Sequence, residues 1–451
     1  MHPDRPSPVL DTADATKAER TRGQVLAASA RLFRNEGYYP ATLRKIARAA
    51  GVEAGSIYYH FSSKDEILDQ VLDLGVRQLF RAVEAEHDAH TARGAPFRDT
   101  FAAMVGAHLT WLLAASDFTS ANIRNFSMLP EEARARHRPL RRQYADLWDD
   151  FLRRARDCGD IRGDIRVVPL RQFILGALNW TVEWYDTSRY SIEAIADRLA
   201  KFLLDGLSTE RGKPFRTLPI AATPATRPDG VDEPNKVDRT REQLLVAAAE
   251  LMRQRGFKAA TMRAIAEAAG IEAGSIYYHF RSKDEILDEV LDRGLRDIDH
   301  GVRTAFEQAV VLDDHRGRIA TGVRAHLLYL LSLSVFTSAN IRIYGQLTNK
   351  ARENHRPIRK AFGAVWDEVL RDAQRDGAMR SDFKTVPMRQ VLLGALNWTV
   401  EWFNPTKGEL DGFYTLDEMI DMVQKLTLDG IAPITANITS TSRENQDVPG
   451  A

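Results

Sequence analysis

Two stretches of the chain contain the same set of side chains that can donate hydrogen bonds to phosphate. Each has two adjacent tyrosines and a histidine, followed by a lysine four residues later, at Tyr58–Lys64 and at Tyr277–Lys283. Phenol, imidazole and ammonium groups are suitable donors to the phosphate oxygens of DNA. An isolated Tyr-Tyr-His is equally consistent with a partly packed aromatic edge. The surrounding elements therefore decide the interpretation.

The sequence contains little that indicates an enzyme active site, a nucleotide-binding loop or a metal site. The chain has no G-x-S-x-G, no H-E-x-x-H and no paired C-x-x-C, so we predict no enzyme activity and no cofactor. Residues 206–214 superficially resemble a phosphate-binding loop, but the spacing is one residue too long and Pro214 replaces Ser/Thr. His87 and His90 lie three residues apart and could share a metal ion, but the second half of the chain has no matching metal ligands. We therefore predict no metal site.

The segment before the tyrosines predicts a helix-turn-helix. Thr42 is a good N-cap for a short helix with an apolar stripe, and Gly51 ends that helix. A further helix is predicted over Ala54–Phe61, and Ser63 can cap the next one. In a helix-turn-helix the second helix lies in the major groove. The donors would then face DNA.

The chain contains this arrangement twice. Residues 51–73 and 270–292 are identical at twenty of 23 positions, and GALNWTVEW occurs at both 176–184 and 394–402. A proline-rich stretch without periodicity separates the copies and is typical of a coil-like linker. The predicted divisions are a disordered tail at 1–16, a first helix-turn-helix domain or head at 17–73, a first helical body at 74–207, a linker at 208–236, a second head at 237–292, a second body at 293–432 and a disordered tail at 433–451.

Composition limits the class of protein. The chain is 44% hydrophobic and 27% charged, as is usual for globular proteins, and its helical periodicity predicts an all-α fold. Lys+Arg and Asp+Glu are 62 each, so any basic surface must be local. A single cysteine excludes an intramolecular disulfide framework and favours the reducing cytoplasm. No apolar run reaches the ~20 residues of a membrane span, so no membrane partner is expected.

The motif AGSIYYHF-x-SK, placed after T-x-R-x-IA-x-AAG, resembles the TetR repressor family over 19–73 and 238–292. The resemblance implies two tandem subunits, each with a three-helix head and a helical body, and double-stranded DNA as a partner. Ala54 and Ala273 stand where many relatives carry a longer polar residue, which leaves Arg44 and Arg263 to read guanine. The implied DNA contacts are Thr42, Arg44, Gly55, Ser56, Tyr58, Tyr59, His60 and Lys64, and then Thr261, Arg263, Gly274, Ser275, Tyr277, Tyr278, His279 and Lys283.

The two heads differ in charge. Residues 17–72 hold nine Lys/Arg and six Asp/Glu, a net charge of +3, whereas residues 236–291 hold nine of each. Because phosphate neutralisation sets salt-dependent affinity, we predict that the first head binds DNA more strongly. Drift on solvated faces is the alternative explanation.

Several polar or aromatic residues recur in both bodies on otherwise apolar helices, which predicts an effector pocket for a polar or anionic ligand. Tryptophans in these helices could instead pack an interface between the copies. The NWT-x-x-W helix resembles TetR-family repressors of fatty-acid and steroid catabolism, which implies an acyl-CoA effector. The candidate residues are Asn122, Arg124, Arg141, Trp148, Asn179, Trp180, Glu183 and Trp184, with their counterparts Asn340, Arg342, Arg359, Trp366, Asn397, Trp398, Glu401 and Trp402.

Ordinary members of the family are homodimers whose last two helices pair. In this chain the last two helices of both copies are predicted at 169–185 with 192–207 and at 387–403 with 415–431. We expect an intramolecular pseudo-dimer that binds a palindrome-like operator as a ligand-released repressor. The alternatives are a dimer of tandem chains, and a ligand-binding or protein-interaction module that has no role in DNA binding.

Overall fold

The computed structural model describes residues 16–38, 41–126, 129, 131–206, 210–220, 235–344, 347, 349–403 and 414–430. Over these residues the secondary structure is helical, without β-strands. The all-α prediction is confirmed. Most of the tails predicted to be disordered, and residues 221–234 of the predicted linker, lie outside the described residues.

Helices of the first half follow the predicted order. They are α1 (Lys17–Glu36), α2 (Leu43–Ala50), α3 (Lys64–Ala92), α4 (Phe97–Thr110), α5 (Asp117–Asn125), α6 (Glu131–Asp157), α7 (Val167–Asn179), α8 (Thr181–Trp184) and α9 (Ile192–Asp205). A 3₁₀ turn at Ala54–Tyr59 follows α2, and a π-helical turn at Trp111–Ala115 extends α4.

Helices of the second half repeat this order with two differences. They are α10 (Lys236–Ala259), α11 (Met262–Ala268), α12 (Lys283–Gln308), α13 (His315–Leu328), α14 (Val335–Ile343), α15 (Asn349–Asn354), α16 (Arg356–Arg375), α17 (Thr385–Trp402) and α18 (Leu416–Asp429). The segment matching α6 is divided before Pro357, whereas α6 runs through Pro139. The segment matching α7 and α8 is continuous in α17.

The predicted caps form as expected. Thr42 Oγ1 accepts a hydrogen bond from Lys45 N at 3.2 Å, and Ser63 Oγ accepts one from Glu66 N at 3.1 Å. Gly51 ends α2 in the left-handed conformation at φ 69°, which a residue with a side chain would adopt only with strain. These caps fix where α2 stops and α3 starts, and so set the position of the short turn between them.

The helix predicted over Ala54–Phe61 is instead a 3₁₀ turn that ends at Tyr59, and its second copy covers only Ser275–Tyr278. Ser56 N bonds to Glu53 O and His60 N bonds to Ile57 O, both three residues apart. The prediction of the element was right, and its helical type was wrong.

Three hydrophobic cores stabilise the chain. Among the described residues, one joins the first head to the part of its body around α5, and one joins the second head to the part around α14. The third runs continuously through both bodies, from Leu79 to Leu204 and from Ile298 to Leu428. The bodies therefore share one core instead of folding around two.

Contacts across the boundary are reciprocal. α7 packs on α17, and α9 packs on α18. Gly176 lies against Trp398 and Gly394 lies against Trp180, while Gly206 and Gly430 lie against the carbonyls of Leu428 and Leu204. A contact that recurs with the partners exchanged is the mark of a two-fold interface. In the structure the two bodies therefore pack on each other with two-fold-related contacts.

Part of the predicted linker is packed against the second half. Over 210–220, Leu218 N bonds to Thr321 Oγ1 at 3.3 Å and Gly212 N bonds to Asp429 Oδ1 at 3.0 Å. The buried Arg316 donates to the carbonyls of Glu210 and Lys213 at 2.9 and 2.8 Å. This part of the linker has no helix or strand, but its backbone groups and Phe215 contact α13 and α18.

Among the described residues no single helix is long and apolar enough to cross a bilayer. Two bent helix pairs, at 97–125 and 315–343, pass that test by length and composition only.

Candidate DNA-binding heads and effector cavity

The tyrosine pair of each head projects into solvent. Tyr58 and Tyr59 are 64% and 89% exposed, and Tyr277 and Tyr278 are 62% and 90% exposed. The buried Ile57 and Phe61 hold the first turn against its head, as Ile276 and Phe280 do for the second. Large exposed aromatic side chains give no stability to the free protein, so their presence in both heads is consistent with a binding surface.

The other predicted DNA contacts lie around these tyrosines. Thr42, Arg44 and Gly55 are exposed, whereas Ser56 and His60 are partly buried. The second head repeats this distribution at Thr261, Arg263, Gly274, Ser275 and His279. The structure thus brings the predicted contacts of each head onto the surface of α2 or α11 and of the turn that follows it.

The lysines have an additional role within the heads. Lys64 Nζ donates to Tyr38 O at 2.9 Å and lies 4.0 Å from the centre of the Tyr38 ring. Lys283 Nζ donates to Phe257 O at 2.6 Å and lies 3.9 Å from that ring. Each lysine therefore fastens the end of the first helix of its head to the start of the long connecting helix, in addition to offering a cation.

A cavity of about 350 Å³ lies between the two bodies. Its walls come mainly from α5, α6 and α7 of the first half, and α14 and α17 of the second half complete them. Eleven of the predicted effector residues line it: Asn122, Arg124, Arg141, Asn179, Trp180, Glu183, Arg342, Asn397, Trp398, Glu401 and Trp402.

Five predicted effector residues do not line this cavity. Trp148 and Trp366 are fully buried in the shared core, where Trp148 packs on Phe101 with ring centres 6.1 Å apart. These two tryptophans lie on the face of their helix that packs inside each body, so placing them in an effector site was wrong for this cavity. Trp184, Asn340 and Arg359 are the other three.

Sequence reasoning missed several wall residues. Arg134, Tyr144, Arg171 and Gln172 line the cavity. Arg134 and Arg171 recur as Arg352 and Arg389 in the second copy. Recurrence across the copies was therefore a usable signal for these two arginines, but it could not show which face of the helix they occupy.

Arg141 is the most perturbed cation of the cavity. Burial lowers the pKa of Arg141 to about 9, and the carboxylate of Glu401 opposes this only in part. Its guanidinium lies 3.4 Å from the centre of the Phe126 ring and donates from Nη2 to Asn122 Oδ1. Burial also raises the pKa of Glu401, and Arg342 offsets part of that rise. The cavity thus keeps charges away from water at a desolvation cost.

Two buried histidines orient the two asparagines of the cavity. Burial lowers the pKa of His108 and of His326 to about 4, so both rings are neutral at pH 7. His108 Nε2 lies 3.1 Å from Asn179 Oδ1, and His326 Nε2 lies 2.9 Å from Asn397 Oδ1. An amide oxygen needs a donor, so Nε2 carries the proton in each ring. Each asparagine then keeps its NH₂ group for the cavity.

Two hydrogen-bond chains join the cavity to the first head. Arg124 Nη1 donates to Arg34 O at the end of α1, while its Nε bonds to Glu183 Oε1 at 3.0 Å. Asn122 Nδ2 donates to Leu72 O at 2.7 Å on α3, the helix that begins in the head. A change at Arg124 or Asn122 would therefore alter a hydrogen bond that the residue makes directly with the first head.

Comparison with known proteins agrees with this architecture. The model of bacterial regulatory proteins of the tetR family matches residues 25–71 and 244–290. The tetracyclin repressor-like C-terminal domain model matches residues 94–207 and 313–431. The chain belongs to the TetR family.

Individual TetR-family relatives match one half of the chain. The HTH-type transcriptional repressor KstR2 of Rhodococcus jostii is 31% identical over 218 residues, which are 46% of this chain and 98% of the relative. The fatty acid metabolism regulator protein of Bacillus subtilis is 23% identical over 41% of this chain and 94% of its own. The solved ketosteroid transcriptional regulator KstR2 of Mycobacterium tuberculosis is 22% identical, with a TM-score of 0.35, over 42% of this chain and 93% of its own.

This TetR-family chain is therefore a transcriptional regulator with duplicated head and body domains. No cluster of three metal-ligating side chains occurs in the part that the structure describes. His87 Nδ1 lies 2.8 Å from Asp88 Oδ1, and His90 Nδ1 lies 2.9 Å from Glu86 O, so each histidine has a neighbouring partner on its own helix.

Proposed function

We propose that this chain is a ligand-released repressor that places both of its heads on one operator. The observation that carries the proposal is the reciprocal pairing of Gly176 with Trp398 and of Gly394 with Trp180. Reciprocal contacts relate the two bodies by an approximate two-fold axis. We expect the heads attached to those bodies to be related by the same axis, as the two half-sites of a palindrome are.

The near-identity of the heads supports a palindrome-like operator. Residues 51–73 and 270–292 differ at only three positions, and none of the three is a predicted base contact. The half-sites should therefore be nearly the same in sequence. Their centres should lie about one helical turn apart, ~34–36 Å.

The effector we propose is an acyl-CoA thioester. The cavity combines apolar walls at Val76, Leu79 and Leu175 with an excess of arginines over glutamates. Such walls suit an acyl chain next to an anionic group. The relative from Bacillus subtilis is named for fatty acid metabolism, and the relative from Rhodococcus jostii is named as a repressor.

Operator selection from random duplex DNA, followed by sedimentation of the complex, tests the proposal. We expect a palindrome-like sequence bound by one chain per duplex, and release of the chain by an acyl-CoA. Paired variants Tyr58→Ala/Tyr59→Ala and Tyr277→Ala/Tyr278→Ala should each abolish tight binding. Two chains on each duplex would support a dimer of tandem chains, and failure to select any sequence would refute DNA recognition.

A further inference from the structure

We propose that the chain has a single effector site, shared by the two bodies, in which Arg141 receives the anionic group of the effector. This inference rests on the proposed effector role of the cavity. It adds that two tandem subunits bind one effector molecule instead of two.

The walls of the first-half cavity have counterparts in the second half that pack against one another. Phe126 corresponds to Tyr344, whose ring stacks on Trp180 with centres 6.2 Å apart at 26°. The guanidinium carbons of Arg359 and Arg352 lie 4.3 and 4.8 Å from the centre of that ring. Tyr344 is therefore held among Trp180, Arg352 and Arg359, whereas its counterpart Phe126 contacts Arg141 and lines the cavity.

A second difference between the copies, Ala145 in the first and Gly363 in the second, also makes the cavity wall of the second half more closely packed. Ala145 lines the cavity, and its counterpart is Gly363. The guanidinium of Arg389 lies so close to Gly363 that a methyl group there would be 2.8 Å from Nη1. Arg389 thus packs onto α16 where the first half keeps a methyl group. The second-half counterpart of the cavity wall is closed by its own side chains.

Charge pairing distinguishes Arg141 from three other arginines of the cavity. Arg124 pairs with Glu183 at 3.0 Å, Arg171 pairs with Asp149 at 2.8 Å, and Arg342 lies 3.8 Å from Glu401. Arg141 contacts the neutral amide of Asn122 and the face of Phe126, and its buried Nε has no acceptor among the residues that the structure describes. Among the described residues Arg141 forms no ion pair, and the Glu401 carboxylate offsets the cost of its burial only in part. An anionic ligand would offset more of that cost.

Neutral donors surround the same space. Trp402 lines the cavity, and its buried Nε1 likewise has no acceptor within the described ranges. Asn179 and Asn397 contribute NH₂ groups from opposite bodies, since histidines occupy their oxygens. Hydrogen-bond donors from both halves therefore line the cavity together with Arg141, which suits a ligand group rich in acceptors. A carboxylate and the phosphates of a CoA thioester share this chemistry.

Isothermal titration with decanoyl-CoA, decanoate and coenzyme A distinguishes the sources of the anion. We expect one molecule per chain, with quenching of the emission from Trp180, Trp398 and Trp402. Decanoyl-CoA alone binding tightly assigns the anion to the CoA phosphates, whereas equal binding of decanoate assigns it to a carboxylate. A stoichiometry of two molecules per chain would overturn the inference.

The duplication supplies a matched control. Arg141→Gln should weaken binding at least ~10-fold, in line with the loss of a charge-assisted hydrogen bond, while Arg359→Gln should leave it within ~2-fold. Trp402→Phe keeps the ring, removes the donor, and should weaken binding several-fold. Tyr344→Ala should raise the stoichiometry towards two. Equal losses for Arg141→Gln and Arg359→Gln would refute the assignment.

The same titrations separate this inference from the proposed function. If the probes release operator DNA but bind twice per chain, the single shared site is refuted and the regulatory function stands. If none of the three probes binds, the acyl effector is refuted and the inference fails with it. Operator binding by each variant without effector confirms that the variant is folded.

Discussion

Gly176 on α7 lies directly against the indole of Trp398 on α17, so that a methyl group on Gly176 would be 2.9 Å from both Cβ and Cδ1 of Trp398. Gly394 and Trp180 repeat the contact in the opposite direction, at 2.8 Å from Cδ1. Two large rings therefore each occupy a space that only a glycine leaves open. The contact fixes the register of the two bodies and, through it, the position of the cavity walls.

Gly176→Ala should destabilise the folded chain by about 1–3 kcal/mol, because a new methyl group overpacks a closed interface. Gly394→Ala should have the same effect, and the two changes together should separate the bodies. Urea unfolding gives the change in free energy. Gly106→Ala is the control, since a methyl group there meets no atom within 4 Å and alanine favours helix by about 0.5–1 kcal/mol. Destabilisation by the control and not by Gly176→Ala would contradict this packing.

Much of the fold could be predicted because it depends on local chemistry. Thr42 and Ser63 cap helices where the sequence places them, and Gly51 ends one. The shape of the turn at Ala54–Tyr59 was less predictable, since the segment between the Gly51 and Ser63 caps can hold either a 3₁₀ turn or a short α-helix. The pairing of the two bodies is a long-range contact. It could be predicted because the duplication places both members of the pair in one sequence.

The site was only partly predictable because tertiary packing determines which face of a helix lines the cavity and which face is buried in the core. Trp148 and Trp180 recur equally well between the copies, yet Trp148 lies in the shared core and Trp180 on the cavity wall. The asymmetry of the cavity depends on exchanges as small as Phe126 for Tyr344. No rule for a single position predicts that Tyr344 stacks on Trp180 whereas Phe126 lines the cavity beside Arg141.

Tyr59→Ala and Tyr278→Ala should reduce affinity for the operator without lowering the melting temperature, because these side chains are 89% and 90% exposed. Titration of labelled operator over a range of salt concentrations measures both affinity and the salt slope. Tyr278→Ala leaves the first head intact, and that head has a net charge of +3. This variant should therefore show the steeper dependence of affinity on salt concentration. Equal slopes for the two variants would favour drift on solvated faces.

Arg44→Ala and Lys64→Ala should separate base reading from head stability. Arg44 is exposed on α2, so its loss should relax base preference at one operator position and leave stability unchanged. Lys64 also holds the Tyr38 carbonyl at 2.9 Å, so its loss should weaken binding to all sequences and lower the melting temperature. Selection of operators by each variant, together with thermal melts, checks both outcomes. Equal losses on specific and random DNA for Arg44→Ala would refute its role in base reading.

Arg124→Lys should retain operator binding and impair release by the effector. The guanidinium joins Arg34 O of the head to Val182 O and Glu183 of the cavity, and an ammonium group cannot reach all three in a fork. Release of labelled operator at increasing effector concentration measures the coupling. Arg342→Lys is the control, because Arg342 faces Glu401 at 3.8 Å inside the cavity. A similar shift of the release curve in both variants would show that Arg124 carries no special coupling.

The stability of the chain should fall as the pH falls below 6.5. Burial lowers the pKa of His108 and of His326 from 6.5 to about 4, so the unfolded chain binds more protons between these values. Stability therefore rises with pH across this window, and each histidine should cost about 2 kcal/mol at pH 5 relative to pH 7.5. Urea unfolding at both pH values measures the difference. His108→Gln removes one titrating group and should reduce the pH dependence by about half of the histidine contribution, whereas an unchanged dependence would mean that other groups cause it.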